Sequence, residues 1–123
     1  MKNVDFVLLY VESPAESTAF YRELLGRPPL EEAPNFSMFE ARPGLMLGLW
    51  ARHDVTPTGA VAGGGGELCF TVGSADEVRS VHADWTKRGL AIAQAPCALD
   101  FGFTFVATDP DGHRLRVFAP GAK

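Results

Sequence analysis

At 123 residues the chain is long enough to bury a core and too short for two independent domains, so one domain spanning 1–123 is expected. A hydrophobic content of 46%, 21% charged residues and nine Phe exclude a disordered chain. The formal net charge of -4, with Lys and Arg dispersed along the chain, provides no basic footprint for nucleic acid or an anionic membrane surface. No apolar run reaches the roughly 18 residues of a membrane span. Met1-Lys2-Asn3-Val4-Asp5 places an acid where a signal peptide would have its apolar core, so a cytoplasmic location is expected. Cys69 and Cys97 lie in strand-like segments without CxxC spacing and are expected to be buried, reduced thiols.

Val4–Val11 is rich in strand formers and is followed by Ser13-Pro14-Ala15-Glu16, a capping-box spacing with Pro at the first helical position. The helix that starts there carries Phe20, Tyr21, Leu24 and Leu25 on one face and stops at Gly26. Short strand candidates follow at Leu30–Pro34, Phe36–Ala41 and Leu45–Ala51, the last two joined through Arg42-Pro43-Gly44. Residues 52–66, ending in four consecutive glycines, have no periodicity and read as a flexible connector. The same grammar then returns: a strand at Glu67–Val72, a second capping box at Ser74-Ala75-Asp76-Glu77, and a helical face of Val78, Val81, His82 and Trp85 ending at Gly89. Strands at Leu90–Ala95, Phe103–Thr108 and Arg114–Phe118 follow, the last two joined by Asp109-Pro110-Asp111-Gly112.

Aligning Ser13 with Ser74 gives an offset of 61 residues and pairs Phe6 with Glu67, Leu9 with Phe70 and Val11 with Val72. The chain therefore reads as two βαβββ modules, about 1–51 and 67–123, an α+β fold. A helix covers only one face of each sheet, so two curled mixed sheets are expected to pair and form a cleft for a small ligand. Pairing of modules within one chain and exchange between chains both satisfy this requirement.

A duplicated βαβββ unit with "FYRELLG" ending its first helix and "DPDGHRLRVF" in its last hairpin resembles the vicinal-oxygen-chelate superfamily of glyoxalases, bleomycin-resistance proteins and dioxygenases. The resemblance covers essentially the whole chain and implies a symmetric homodimer. Metal enzymes of that family place ligands at the start of the first strand of each half, in the fourth strand, and in the final strand after the DPDG turn. At those places this chain has Phe6, Glu67, the run Leu45-Met46-Leu47-Gly48-Leu49-Trp50, and Arg116. A phenyl ring has no lone pair to donate, the fourth-strand run has no oxygen or imidazole ligand, a guanidinium is a cation, and Glu67 alone is not a site. No metal, no cofactor and no catalytic residue is expected.

The departure resembles the binding branch of the superfamily, the bleomycin-type and mitomycin-type resistance proteins, and through "GFTFVATDPDGHRLRVFAP" the phenazine-antibiotic resistance proteins. The expected function is non-catalytic sequestration of a small aromatic compound, acidic or neutral, of the phenazine-like antibiotic type; the alternative is a metal-dependent or cofactor-free lyase, isomerase or dioxygenase, the cofactor-free form using Glu67 as base. Glu67 and Arg116 are expected to face the cleft as an ion pair, either purely structural or offering a positive centre for an acidic ligand. Trp50 shares a strand face with Met46 and Gly48, where Gly48 would leave room between the larger side chains; Trp50 either stacks on a ligand or packs in the core or dimer interface. Phe36 and Phe39 lie on opposite faces of the third strand, so at most one lines the cleft, and Phe101 and Phe103 present the same choice around Gly102. His53 adjoins the cleft as a possible donor. His82 reads as a packing residue and His113 as part of its turn.

Overall fold

The computed structural model describes residues 3–123; Met1 and Lys2, which enter the signal-peptide reading, lie outside the described residues. The chain divides into two compact units, Met1–Gly63 and Gly64–Lys123, the boundary falling among the glycines of the connector. No helix is long and apolar enough to cross a membrane.

The first unit runs β1 (Phe6–Val11), α1 (Pro14–Leu25), β2 (Glu31–Ala33), β3 (Phe36–Arg42) and β4 (Leu45–Ala51). Its sheet has the order β1-β4-β3-β2, with β1 parallel to β4 and the other pairs antiparallel. The second unit repeats it: β5 (Glu67–Thr71), α2 (Ala75–Lys87), β6 (Ala91–Leu99), β7 (Gly102–Thr108) and β8 (Arg114–Pro120), in the order β5-β8-β7-β6 with β5 parallel to β8. The duplication seen at the offset of 61 is thus a duplication of topology. Each unit is α+β.

Both helices begin as their capping boxes require. Ser13 is extended, at φ -128° and ψ 102°, and its hydroxyl accepts the Glu16 backbone N–H at 3.2 Å; Ser74 accepts from Glu77 at 3.1 Å. Each bond satisfies one of the donors that a helix start leaves open. Helix α1 ends because Gly26 adopts a left-handed conformation, φ 68°, and turns its N–H back to the Arg22 carbonyl.

Strand alternation assigns each side chain to a face. Val11, Phe39, Leu47 and Leu49 are buried on the side covered by α1, where Tyr21 is also buried and the Thr18 and Ser37 hydroxyls meet at 2.5 Å. In the second unit α2 covers Phe105, Leu115 and Val117. Trp85 packs edge-on to both Phe70 and Phe105, with ring centroids 5.5 Å apart in each case, and His82 lies edge-on to Phe105 at 5.2 Å, the packing role expected of it.

Three expectations about the elements need correction. β6 continues to Leu99 instead of stopping at Ala95, because its pairing with β7 shifts register between Ile92 and Gln94 and again between Gln94 and Cys97; these irregularities accommodate Pro96, which has no N–H for the ladder. The connector is not wholly irregular: it opens with a 3₁₀ turn at Arg52–Asp54 and buries Val55. Cys69 is exposed and Cys97 half-buried, not sealed in a core. Cys69 alternates with Leu68 and Phe70 and so shares the uncovered face of β5 with Glu67 and Thr71.

The two caps give a direct comparison between the units. Ser13→Ala and Ser74→Ala should each lower unfolding stability by about 1 kcal/mol, with the urea dependence of the transition unchanged, as measured by urea denaturation. A loss near zero at either serine would remove the cap from the account of that helix.

Candidate functional site

Each sheet leaves one face uncovered by its helix, and the two uncovered faces differ in chemistry. On the first sheet, register places Tyr10, Trp50 and Phe36 in one row across β1, β4 and β3; Leu8, Gly48 and Met38 in the next; and Phe6, Met46 and Glu40 in the third. Apart from Glu40, the hydroxyl of Tyr10 and, on the edge strand, Glu31 beside Met38, this is an aromatic and apolar surface, with Phe6 41% and Leu8 36% exposed.

Gly48 sits at its centre for a steric reason. A Cβ there would lie 2.7 Å from Phe6 Cε1 and 2.9 Å from Leu8 Cδ1. Gly48 does not leave an open space between Met46 and Trp50, as expected from β4 alone; the neighbouring strand fills it with the Phe6 ring and the Leu8 side chain. Phe36 shares this face. Phe39 does not: it is fully buried on the α1 side and belongs to the core. His53 lies outside the sheet, in the 3₁₀ turn. Its Nε2 is 3.4 Å from Glu12 Oε1, and Glu12 also accepts from Arg52, whose guanidinium, followed by the imidazole, holds the carboxyl below its usual range.

On the second sheet the uncovered face is polar. Arg116 of β8 donates from Nε to Glu67 Oε1 at 2.7 Å and from Nη2 to Glu67 Oε2 at 3.0 Å, a bidentate ion pair, and from Nη1 to the buried Thr104 hydroxyl at 3.2 Å. Thr104 in turn donates to the Val117 carbonyl at 2.9 Å. The guanidinium carbon also lies 5.5 Å from the centroid of the Phe101 ring. The Arg116 hydrogen bond pulls the Glu67 carboxyl below the usual carboxylate range against a smaller opposing effect of burial, and Glu67 raises Arg116 in return. Cys69, in register with Arg116, is an exposed residue whose thiol is pushed up by partial desolvation first and by Glu67 second.

Phe103 is not on this face. It is buried on the α2 side, under the Arg79 guanidinium at 4.5 Å from its ring centroid. Phe101, which precedes the strand, reaches Arg116 and packs edge-on to Phe118 at 5.9 Å. The alternation that separates faces within a strand does not extend across Gly102, whose φ of 150° and close approach to the Ala119 carbonyl belong to glycine alone.

The places where metal enzymes of the family that the sequence resembles carry ligands do not fit a metal. Phe6 and the Leu45–Ala51 strand offer no imidazole or carboxylate, Arg116 is a cation, and both Glu67 oxygens accept from Arg116. Elsewhere, ligand atoms of Asp109, Asp111 and His113 lie within 4.8 Å of one another. There Asp109 Oδ1 accepts the backbone N–H groups of Asp111 and His113, at 2.9 and 2.8 Å, and Oδ2 meets His113 Nδ1 at 2.7 Å. This carboxylate braces the DPDG turn, with His113 as part of the brace.

The Glu67–Arg116 pair makes stability pH-dependent. A carboxyl whose pKa is lowered on folding contributes stability at neutral pH that is lost as pH falls from the ordinary carboxylate range through the lowered value. Below about pH 4 the wild type should therefore lose more stability than the double variant Glu67→Gln/Arg116→Met. At pH 7, Arg116→Met alone should cost about 1–2 kcal/mol, more than the double variant, because it leaves Glu67 without its partner. Denaturant titration of the three proteins across pH checks both; identical acid profiles would show that the pair does not act in folding.

Residues 3–117 match the Glyoxalase/Bleomycin resistance protein/Dioxygenase superfamily. A phenazine antibiotic resistance protein, EhpR of Enterobacter agglomerans, is 26% identical over 113 residues, covering 89% of this chain and 86% of that protein. A protein of Agrobacterium tumefaciens with a solution NMR structure is 49% identical, with a TM-score of 0.89 over 98% of this chain and 99% of that one. A glyoxalase-related enzyme from Fulvimarina pelagi shares the fold at 20% identity, with a TM-score of 0.82 over 97% of this chain and 88% of that one. The two βαβββ units, their shared strand order and the match along nearly the whole sequence together establish that the chain belongs to the glyoxalase/bleomycin-resistance/dioxygenase superfamily, the vicinal-oxygen-chelate fold.

Proposed function

We propose that this chain binds a small planar aromatic compound of the phenazine type and holds it without transforming it, a resistance-type role. The observation that carries the reading is the uncovered face of the first sheet, where Tyr10, Trp50 and Phe36 lie in one row beside Met38 and Met46. Aromatic rings of this kind gain from offset or edge contacts with a flat ligand, and Met adapts to its outline. The likeness to a phenazine resistance protein supports the same ligand class.

The rival reading, an enzyme that uses Glu67 as base, has the chemistry against it. A base needs a pKa near the working pH, whereas the bidentate bond from Arg116 holds the Glu67 carboxyl low. An acidic ligand gains little from Arg116, because Glu67 occupies the side of the guanidinium fork that would take a carboxylate.

The proposal includes a homodimer, supported by the exposed Phe6 and Leu8 of a sheet face that its own helix does not cover. Light scattering at tens of micromolar should give twice the 13.2 kDa chain mass; a well-folded monomer would exclude it.

Ligand recognition is tested by calorimetric titration with a phenazine carboxamide. Trp50→Ala should weaken binding by about 1–3 kcal/mol while leaving the fold intact, and Phe39→Leu should leave the affinity unchanged apart from a loss of stability. Wild-type affinity in Trp50→Ala would exclude stacking on Trp50.

A further inference from the structure

Gly48 is buried, although it stands on the face of the first sheet that α1 leaves uncovered. Its cover comes from the neighbouring strand. The register pairs Leu8 with Gly48 and Phe6 with Met46, so the Phe6 side chain leans one two-residue step along the sheet to reach Gly48. A Cβ at residue 48 would lie 2.7 Å from Phe6 Cε1, 3.0 Å from Phe6 Cζ and 2.9 Å from Leu8 Cδ1, all inside ordinary van der Waals contact. The tips of both side chains therefore rest in the volume that the Cβ of any other residue would fill.

The result is a low floor beside a row of rings. Tyr10, Trp50 and Phe36 stand in one row; the next, about 7 Å along the strands, is Leu8, Gly48 and Met38 with the Phe6 tip drawn down over its centre. A single six-membered ring stacked on Trp50 is covered by the first row alone, whereas a linear fused three-ring system is long enough to continue over Gly48. Continuing there takes apolar surface of the ligand, Leu8 and Phe6 out of water, and both residues are among the exposed large apolar side chains of the chain. With a side chain at residue 48 the two tips would have to rise into the space over the floor. They rise at little cost to the fold, because both are free ends of rotatable side chains on residues 41% and 36% exposed. The glycine sets the height of the floor more than the stability of the sheet.

We infer that Gly48 determines which aromatic ligands this face accepts: by letting Phe6 and Leu8 lie down across β4, it favours linear fused systems of three rings over shorter ones. Gly48 acts as a positioning residue, through Phe6 and Leu8. The inference rests on the proposed aromatic ligand and adds the extent of that ligand.

The test is an NMR titration of the ¹⁵N-labelled full chain with the carboxamides of phenazine, quinoxaline and pyrazine, which have three, two and one rings. Wild type, Gly48→Ala, Phe6→Leu and the double variant are compared. Gly48→Ala should weaken phenazine carboxamide about tenfold, quinoxaline carboxamide less, and pyrazine carboxamide less than about twofold, since overpacking costs on the order of a tenfold change in affinity or more. Phe6→Leu removes the two ring atoms that a Cβ at residue 48 would meet. In that background Gly48→Ala should cost phenazine carboxamide no more than about threefold, the coupling expected of residues in direct contact. A purely structural loss would instead lower all three affinities alike. The inference is overturned if Gly48→Ala does not fold, if it weakens the three ligands by one factor or not at all, or if its cost for phenazine carboxamide is the same with and without the Phe6 ring. A change in the mass of Gly48→Ala by light scattering would place the residue between copies of the chain and overturn it as well. Failure of the wild type to bind phenazine carboxamide would overturn the aromatic-ligand reading and this inference together; binding without the size dependence would overturn the inference alone.

Discussion

One helix can bury only one face of a four-stranded sheet, and this chain applies that arrangement twice. Everything of functional interest follows from what the sequence puts on the two faces left over. On the covered faces the residues are ordinary core: Phe39, Leu47 and Leu49 under α1, Phe105, Leu115 and Val117 under α2. On the uncovered faces the two halves of a duplicated unit have diverged, one toward aromatic and apolar side chains and the other toward charge.

The divergence is sharpest at the related positions Phe6 and Glu67. In the first unit Phe6 lies over Gly48 and completes an apolar surface. In the second, Glu67 meets Arg116 in a bidentate pair that Thr104 extends into the sheet. A carboxylate and a guanidinium in that geometry satisfy each other, so neither behaves as a lone metal ligand, base or anion trap.

Much of this was legible in the sequence, and the limits have physical causes. The capping serines, Gly26 and the DPDG turn are local signals, and the structure uses them as local rules predict. The pairing of Glu67 with Arg116 was legible too, through the family resemblance, which implies that both residues stand at inward-facing ligand positions. What could not be read is information held between strands. That Phe6 and Leu8 fill the space over Gly48 depends on the β1–β4 register, and that Phe103 faces the helix while Phe101 reaches Arg116 depends on the turn at Gly102.

The central claim is that this member of the superfamily binds an aromatic compound and leaves it unchanged, with an internal ion pair where metal enzymes hold their ion. The most direct measurement is mass-spectrometric recovery of a phenazine after incubation with an equimolar amount of the protein, with and without a chelator. The account predicts that the phenazine is retained by the protein in both conditions and recovered intact. Its conversion to a product, or retention that disappears on chelation and returns with one equivalent of a divalent metal, would contradict it.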